Sequence, residues 1–495
     1  MSLRPLLGVK CLATKCFYDA GGLKPSLCRE ERTMNGQKNK LKRGDTAISR
    51  RDFVNGMTAA AGVMIVPRHV LGGMGYRAPS DKLNIAAVGA GGMGASNIDH
   101  CYGENIVALC DVDDQRAAAT FKKYPDAKRY RDFRKMLETE KSVDAVIVAT
   151  PDHTHAVVAM MAIKLGKHVY VQKPMTHWVG EARKLTEAVR QYKVASQMGN
   201  QGHSGEGVRL VCEWIWAGVI GQVREVHCFT NRPVWKSPVQ RPTEKVDVPS
   251  TLDWDLWLGP APYRPYHPAY LPQVWRGWWD FGCGALGDMA CHIMDASFTA
   301  LKLGYPTSVE ACASTHIGDK FWTYIDTKDS FPASSVIRYN FPTRGDMPPV
   351  KLTWWDGGML PEQPEELAPG EKLKLKDDGG TIFVGEKGKI VCGTYSDDPS
   401  LLPASKMQTF ERPPQTLPRV KGNHEQNWIE ACKGGPPATS NFDYAGPFAE
   451  AVVMGNLAVR FPGRKLMWDG KNMRVTNVEE ANQYILPAYR EGWSL

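Results

Sequence analysis

The stretch Ile85-Ala86-Ala87-Val88-Gly89-Ala90-Gly91-Gly92-Met93-Gly94 decides how this chain is read. Ile85 to Val88 are small or apolar, as in a strand buried on both faces. Gly89, Gly91 and Gly94 then follow the spacing G-x-G-x-x-G. In a strand–turn–helix unit each glycine has its own task. Gly89 makes a tight turn, Gly91 lets the backbone approach a pyrophosphate, and Gly94 lets the helix pack close on the strand. The helix N-terminus that follows points unpaired N–H groups and a positive dipole end at the phosphates, which places Gly92 and Met93 with the three glycines beside the cofactor. The alternative is a βαβ unit whose glycine turn binds nothing. Against it stands a second apolar run, Ile106 to Cys110, ending at Asp111, 22 residues after Gly89. A dinucleotide fold places there the carboxylate that accepts hydrogen bonds from the adenosine ribose. Asp111 would repel a 2′-phosphate, so the expected cofactor is NAD rather than NADP.

From Lys82 to about Gln201 strand-like and helix-like runs alternate, which predicts a parallel, doubly wound sheet. Ala145–Ala149, His168–Val171 and Ala195–Met198 read as strands. Asp114–Lys123, Ala156–Leu165 and Val179–Tyr192 read as helices. Ligands of such sheets bind beyond the carboxyl ends of the strands. That rule places Thr150, Pro151, Asp152, His155, Gln172, Lys173 and Asn200 beside the cofactor. His153 and His155 with Asp152 have a spacing that suits a metal, but no third and fourth ligand is evident, so none is expected.

The glycine loop, Thr150-Pro151-Asp152-His153-Thr154-His155, Gln172-Lys173-Pro174 and the distal segment from Gly287-Asp288 to His292 together resemble the glucose–fructose oxidoreductase / inositol dehydrogenase family (Gfo/Idh/MocA). The resemblance runs from about residue 80 to the C-terminus. It implies a Rossmann NAD-binding domain followed by a large, mainly antiparallel open-faced sheet that forms one side of a substrate site. A homo-oligomer through that open sheet is expected. The family usually shows Glu-Lys-Pro, and here Gln172 stands in place of the glutamate. An amide keeps the hydrogen bonding and removes the charge.

Past residue 203 the pattern changes to α+β. Val223–Phe229 alternates like a half-buried strand, and Val309–His316, Ser335–Phe341, Lys351–Trp355, Thr381–Val384 and Lys389–Cys392 read as further strands. Helices at about His424–Lys433 and Tyr444–Phe461 close the domain. The expected divisions are a disordered basic leader at 1–48, a signal and linker at 49–79, the Rossmann domain at 80–202, and a substrate and oligomerisation domain at 203–495.

Oxidising a secondary alcohol requires a hydride acceptor and a base at one carbon. Lys173, at a strand end, and His292, from the second domain, are the available pair, and either could take the proton. Lys173 could also stabilise the developing negative charge. The resemblance gives His292 the acid/base role. Asp288 lies one helical turn before it and is expected to orient it. Six tryptophans fall between residues 235 and 279. Trp275, with Arg276 and Tyr270, is expected to line a sugar pocket, because flat rings with a polar N–H suit sugar faces; most of the others read as packing. The expected activity is NAD-dependent oxidation or reduction of a secondary hydroxyl of a sugar or glycoside, C3 being one candidate carbon. Two rivals remain at this level: an NAD-dependent glycoside hydrolase working by transient oxidation and elimination, and a non-catalytic sugar-binding protein.

The net charge of +8 lies wholly in the leader. Residues 1–51 hold 12 Lys+Arg against 4 Asp+Glu, which leaves 61 − 12 = 49 basic and 53 − 4 = 49 acidic residues in the body. A neutral body gives no footing for a nucleic-acid partner. Ser49-Arg50-Arg51-Asp52-Phe53 before the apolar run Val54–Val66 reads as a twin-arginine (Tat) signal and implies a periplasmic protein. The run is too short for a stable membrane span. Few periplasmic enzymes can draw on free nucleotide, so tightly bound NAD is expected. Nine cysteines are scattered through the body without a C-x-x-C pair, as buried small hydrophobes would be.

Overall fold

Alternate residues of the strand around Ile85 face two different cores. Ile85 and Ala87 join Ile147 and Tyr170 on one side, and Ala86 and Val88 join Val146 and Val148 on the other. Such a strand must be covered by helices on both faces. The computed structural model describes residues 81–495, apart from 319–321, 326–327, 374 and 376–378. The leader and the signal segment with Arg50 and Arg51 lie outside the described residues.

The first sheet contains β1 (Asn84–Val88), β2 (Asn105–Cys110), β3 (Lys128–Tyr130), β4 (Ala145–Val148), β5 (His168–Val171) and β6 (Ser196–Met198). All pairs are parallel, in the order β3-β2-β1-β4-β5-β6. The order reverses between β1 and β4, the switch point at which such sheets hold ligands. The crossovers are α1 (Met93–His100), α2 (Asp114–Lys123), α3 (Phe133–Thr139), α4 (Asp152–Lys164) and α5 (Val179–Tyr192). Asp113 caps α2 by accepting from the Gln115 and Arg116 N–H groups, and Asp132 caps α3 at Arg134. Each such cap contributes about 1 kcal/mol. The helix expected from Ala156 begins at Asp152 instead. Pro151 serves as its N-cap residue, so Asp152, His153 and Thr154 form its first turn rather than a loop.

After α6 (Glu206–Trp216) the chain builds a nine-stranded sheet from β7 (Val223–Thr230), β8 (Ser308–Ala313), β9 (Ser335–Phe341), β10 (Val350–Trp355), β11 (Gly379–Gly385), β12 (Gly388–Gly393), β13 (Ser400–Leu402), β14 (Leu466–Asp469) and β15 (Arg474–Val475). The order is β13-β12-β11-β7-β10-β9-β8-β14-β15. Every pair is antiparallel except β7–β10. β13 to β15 escaped the sequence reading because each is two to four residues long, too short to show a period of two.

Between β7 and β8 lie α7 (Trp254–Leu258), α8 (Gly284–Ile293) and α9 (Asp295–Ala300). The helix that carries Asp288 and His292 ends at Ile293, and α9 follows it with Met294 between the two. At the C-terminal side, α10 (His424–Cys432) packs on α1 and β5, and α11 (Phe442–Val459) packs on α5, α8 and the second sheet. One continuous core therefore joins the two sheets, with Val226, Cys228, Leu352 and Trp354 in the same cluster as Val146 and Val148. That shared core fixes α8 against the strand ends of the first sheet. The nine body cysteines are all unpaired, and seven of them are buried. Among the described residues no helix is long and apolar enough to cross a membrane.

Candidate active site

The carboxyl ends of β1, β2, β4 and β5 open on one cavity of about 600 Å³. Gly89, Gly91, Gly92, Met93, Asp111, Thr150, Pro151, Asp152, Gln172 and Lys173 line it from the first sheet. Asp288, Met289 and His292 of α8 line it from the second domain, with Arg232, Trp275, Arg276 and Tyr395.

At one end the glycine loop leaves space where side chains would stand. A Cβ at Gly89, whose φ is +86°, would meet the Ala149 carbonyl oxygen at 2.4 Å. One at Gly94 would lie 1.9 Å from the Gly89 oxygen, so this glycine lets α1 pack on the loop, as expected. Asp111 accepts from the Ala90 N–H at 2.8 Å and from the Asp113 N–H at 3.0 Å. Burial pushes its carboxyl above the ordinary range, and these backbone donors oppose the shift. A carboxylate offers about four lone-pair sites, so acceptor capacity remains for ribose hydroxyls. The Arg116 side chain lies against the loop, where a Cβ on Gly91 would meet its Cγ at 2.6 Å. A Cβ-free cradle, a helix N-terminus, a carboxylate with spare acceptors and a cation together fit a dinucleotide.

At the other end the charges gather on Asp288. Lys173 Nζ donates to the Asp288 carbonyl and lies 3.2 Å from Oδ1. Arg276 Nε donates to Oδ1 at 2.9 Å, and Arg232 Nε lies 3.5 Å from Oδ2. Burial alone would raise the Asp288 carboxyl, but Lys173, Arg276 and Arg232 bring it down to about 2. Asp288 is therefore ionised at every physiological pH. Its hydrogen bonds run to the two cations and not to His292, which corrects the expectation that it orients the imidazole.

His292 is buried, and burial with the nearby Lys173 charge drives its pKa well below the ordinary histidine range. It is a neutral imidazole whose Nδ1 is buried without a hydrogen-bond partner among the described residues. The Tyr395 ring stands edge-on to it at 4.8 Å. Asp152 is also buried and accepts from the Cys283 N–H at 3.0 Å. Burial pushes its carboxyl up to about 7 against the pull of Arg276 and Lys173.

Gln172 donates from Nε2 to Asn97 Oδ1 at 2.8 Å, and Asn97 donates to Glu425 Oε1 at 2.6 Å. An amide suits this position because it passes the chain of donors toward a buried carboxylate. The carboxyl group is that of Glu425, at the far end of the chain, and not next to Lys173.

Three residues expected in the site stand behind it. The His155 ring lies between the Pro174 and Thr150 carbonyls, at 2.8 Å from each, and ties two strand ends together. Asn200 is fully buried, donating to Asp295 at 3.0 Å and accepting from Ser440 at 2.6 Å. Tyr270 is buried in an aromatic cluster with Trp254, Trp278 and Phe281. His153 is engaged with the Phe281 and Trp257 carbonyls. Of the six tryptophans, Trp257 and Trp275 line the cavity, and the Arg276 guanidinium lies 4.2 Å from the Trp275 ring. The sequence reading missed Arg116, Arg232, Tyr395 and Trp493 as lining residues. Only the arginines carried a signal, as cations just after a capped helix start and just after a strand.

Residues 83–200 match the family model described as "Oxidoreductase family, NAD-binding Rossmann fold", and residues 214–325 match "Oxidoreductase family, C-terminal alpha/beta domain". Over these two spans the chain is similar to the Gfo/Idh/MocA oxidoreductase family. Among the curated proteins it resembles, an inositol 2-dehydrogenase of Salmonella typhimurium is 30% identical over 151 residues, which cover 29% of this chain and 45% of the relative. A levoglucosan dehydrogenase of Pseudarthrobacter phenanthrenivorans is 23% identical over 212 residues, covering 43% of this chain and 46% of the relative. The chain thus spans less than half the length of these curated relatives in sequence. The fold is shared over more of the chain. The WlbA dehydrogenase of Bordetella pertussis, solved with NADH and UDP-GlcNAcA, superposes with a TM-score of 0.53 at 18% identity, covering 78% of this chain and 99% of that one. An inositol dehydrogenase homologue of Azotobacter vinelandii, solved with NADH and myo-inositol, gives 0.50 at 16% identity, covering 78% and 98%.

Proposed function

We propose that this protein is an NAD-dependent oxidoreductase that converts a secondary hydroxyl of a sugar or glycoside to a ketone, with His292 as the base. The observation that carries this reading is the single cavity in which a glycine cradle, a neutral imidazole and an ion-paired lysine meet. Bound NAD supplies the hydride acceptor. The chain supplies the proton chemistry. The neutral His292 accepts the hydroxyl proton as the carbonyl forms, and the Lys173 ammonium, held by Asp288, stabilises negative charge on that oxygen. Mass spectrometry of the purified protein for bound nucleotide, followed by a screen of sugars and glycosides for keto products, tests the reading. A keto product is expected, and C3 is one candidate carbon. Release of aglycone with no net change in NADH would move the assignment to hydrolysis by transient oxidation. Neither nucleotide nor turnover would leave a binding protein.

Asp111→Ala is expected to weaken NAD binding about ten- to hundredfold in a calorimetric titration. It should also lower stability by about 1–3 kcal/mol, because the Ala90 and Asp113 N–H groups lose their acceptor. A variant that binds NAD as tightly as the parent would contradict this role.

Export by the Tat route to the periplasm is the second part of the proposal, supported by Arg50-Arg51 before Val54–Val66. Replacing both arginines with lysine should leave folded protein in the cytoplasm, and an unchanged periplasmic yield would refute the signal. Tight retention of NAD belongs with export, since a protein that folds before translocation can carry its nucleotide across. A homo-oligomer contact belongs on the outer face of the nine-stranded sheet, where the half-buried His227 and Trp355 rings lie 6.3 Å apart. Light scattering reads the resulting mass.

A further inference from the structure

The reacting end of the cavity holds three cations around one ionised carboxylate. Lys173, Arg276 and Arg232 all lie within 3.5 Å of Asp288 oxygens. The other acid lining this end, Asp152, is buried against the Cys283 N–H and is only partly ionised near neutral pH. His292 is neutral and offsets nothing. The acids at the nucleotide end are already engaged: Asp111 by the Ala90 and Asp113 N–H groups, Asp113 by the start of α2, and Asp132 by Arg134. The surplus positive charge is therefore local to the substrate side.

The arginines also hold unspent donors. A guanidinium has five N–H groups in a planar fork that matches an oxyanion. Arg276 uses Nε on Asp288 and Nη1 on the Gln273 carbonyl at 3.4 Å, and its face rests on Trp275. The Arg232 guanidinium makes no hydrogen bond among the described residues, and its Nε is buried without a partner. Both arginines share the one Asp288 carboxylate with Lys173, so N–H groups left partly desolvated without an acceptor are costly, and the developing oxyanion of the reaction engages Lys173 alone. Two arginines then remain for something the ligand brings.

We propose that the substrate is an anionic sugar, carrying a carboxylate or a sulfate ester that Arg232 and Arg276 grip while the reacting hydroxyl faces His292. This deepens the oxidoreductase reading and rests on it for the placement of the reacting carbon. Arg232 and Arg276 are specificity-determining residues in this scheme, and a neutral sugar leaves their forks unfilled.

The test is calorimetry on the NADH-loaded protein with matched pairs: glucose and glucuronate, galactose and galacturonate, galactose and galactose 6-sulfate. At least one acid should bind ten- to hundredfold more tightly than its neutral partner. Comparison of the uronate and sulfate arms identifies which oxyanion is preferred. In Arg232→Gln the ratio of acid to neutral affinity should fall at least tenfold, and a charge-keeping Arg232→Lys should restore part of it. Because the Arg232 guanidinium makes no hydrogen bond among the described residues, and Asp288 keeps Lys173 and Arg276 in the variant, the melting temperature of Arg232→Gln should stay within a few degrees of the parent, which separates lost recognition from lost structure. Neutral sugars that bind as well as every acid, acids that do not bind at all, or a preference that survives Arg232→Gln and Arg276→Gln together would overturn the proposal. The oxidoreductase reading is scored separately, by absorbance at 340 nm when the NAD-loaded protein meets the same sugars, so either claim can fail alone.

Discussion

Replacing His292 with alanine lowers turnover by roughly 10²–10⁴-fold, the range for one positioned acid/base group. NAD affinity changes little, because the ring comes from α8 on the substrate side of the cavity. Lys173→Ala brings a loss of the same order, and the double variant loses much less than the product of the two, since both act on one proton transfer. The pH profile gives a sharper test. Burial, and after it the Lys173 charge, holds His292 well below its ordinary value of 6.5. The base therefore stays competent below that pH, and the acid limb of kcat/KM lies under 6.5. Removing the cation in Lys173→Met lets His292 protonate more easily, so the limb moves to higher pH. A limb that stays in place, or moves to lower pH, would show that another group takes the proton.

The second large effect concerns the loop. Gly94→Ala would put a Cβ 1.9 Å from the Gly89 carbonyl oxygen and 3.2 Å from the Ala149 Cβ. The first contact is with backbone, so no rotamer change relieves it. Either α1 moves off the strand or the Gly89 turn opens, and both displace the N–H groups that would face the pyrophosphate. A cost of about 1–3 kcal/mol is expected from such overpacking, together with loss of bound nucleotide. Thermal melts of the parent and variant, with and without added NAD, measure both effects. A variant that keeps the parental melt and the parental shift on adding NAD would show that the loop is not the phosphate cradle.

The nucleotide half was legible because its signals are local. The glycine spacing, the apolar β1, β2 and β4, and Asp111 at the end of β2 all lie within a few dozen residues, and each follows from backbone geometry. The substrate half was legible only in part. Asp288 and His292 share a helix face, as their spacing implied, but the partners of Asp288 come from Lys173, Arg232 and Arg276, up to 115 residues away. Nothing in the local pattern could show that three cations outbid one imidazole. His155 and Asn200 sit near strand ends, as read, yet point back into the protein, because the carbonyls of Thr150 and Pro174 and the buried Asp295 lie on that side. Tyr270 was grouped with the pocket by proximity to Arg276 in sequence, whereas packing places it with Trp254 and Trp278. Tyr395 and Trp493 reach the cavity from the loop after β12 and from the C-terminal tail. Long-range returns of that kind leave no periodic trace.

The most direct test of the central claim is a single-turnover experiment on the NAD-loaded protein, followed at 340 nm as sugars from the acid and neutral pairs are added. The account requires a rise in absorbance with at least one sugar, stoichiometric with bound nucleotide and accompanied by a keto product, and it requires that the same sugar give no such rise with His292→Ala. An unchanged spectrum for the parent across the whole panel, or an equal rise in the His292→Ala variant, would contradict it.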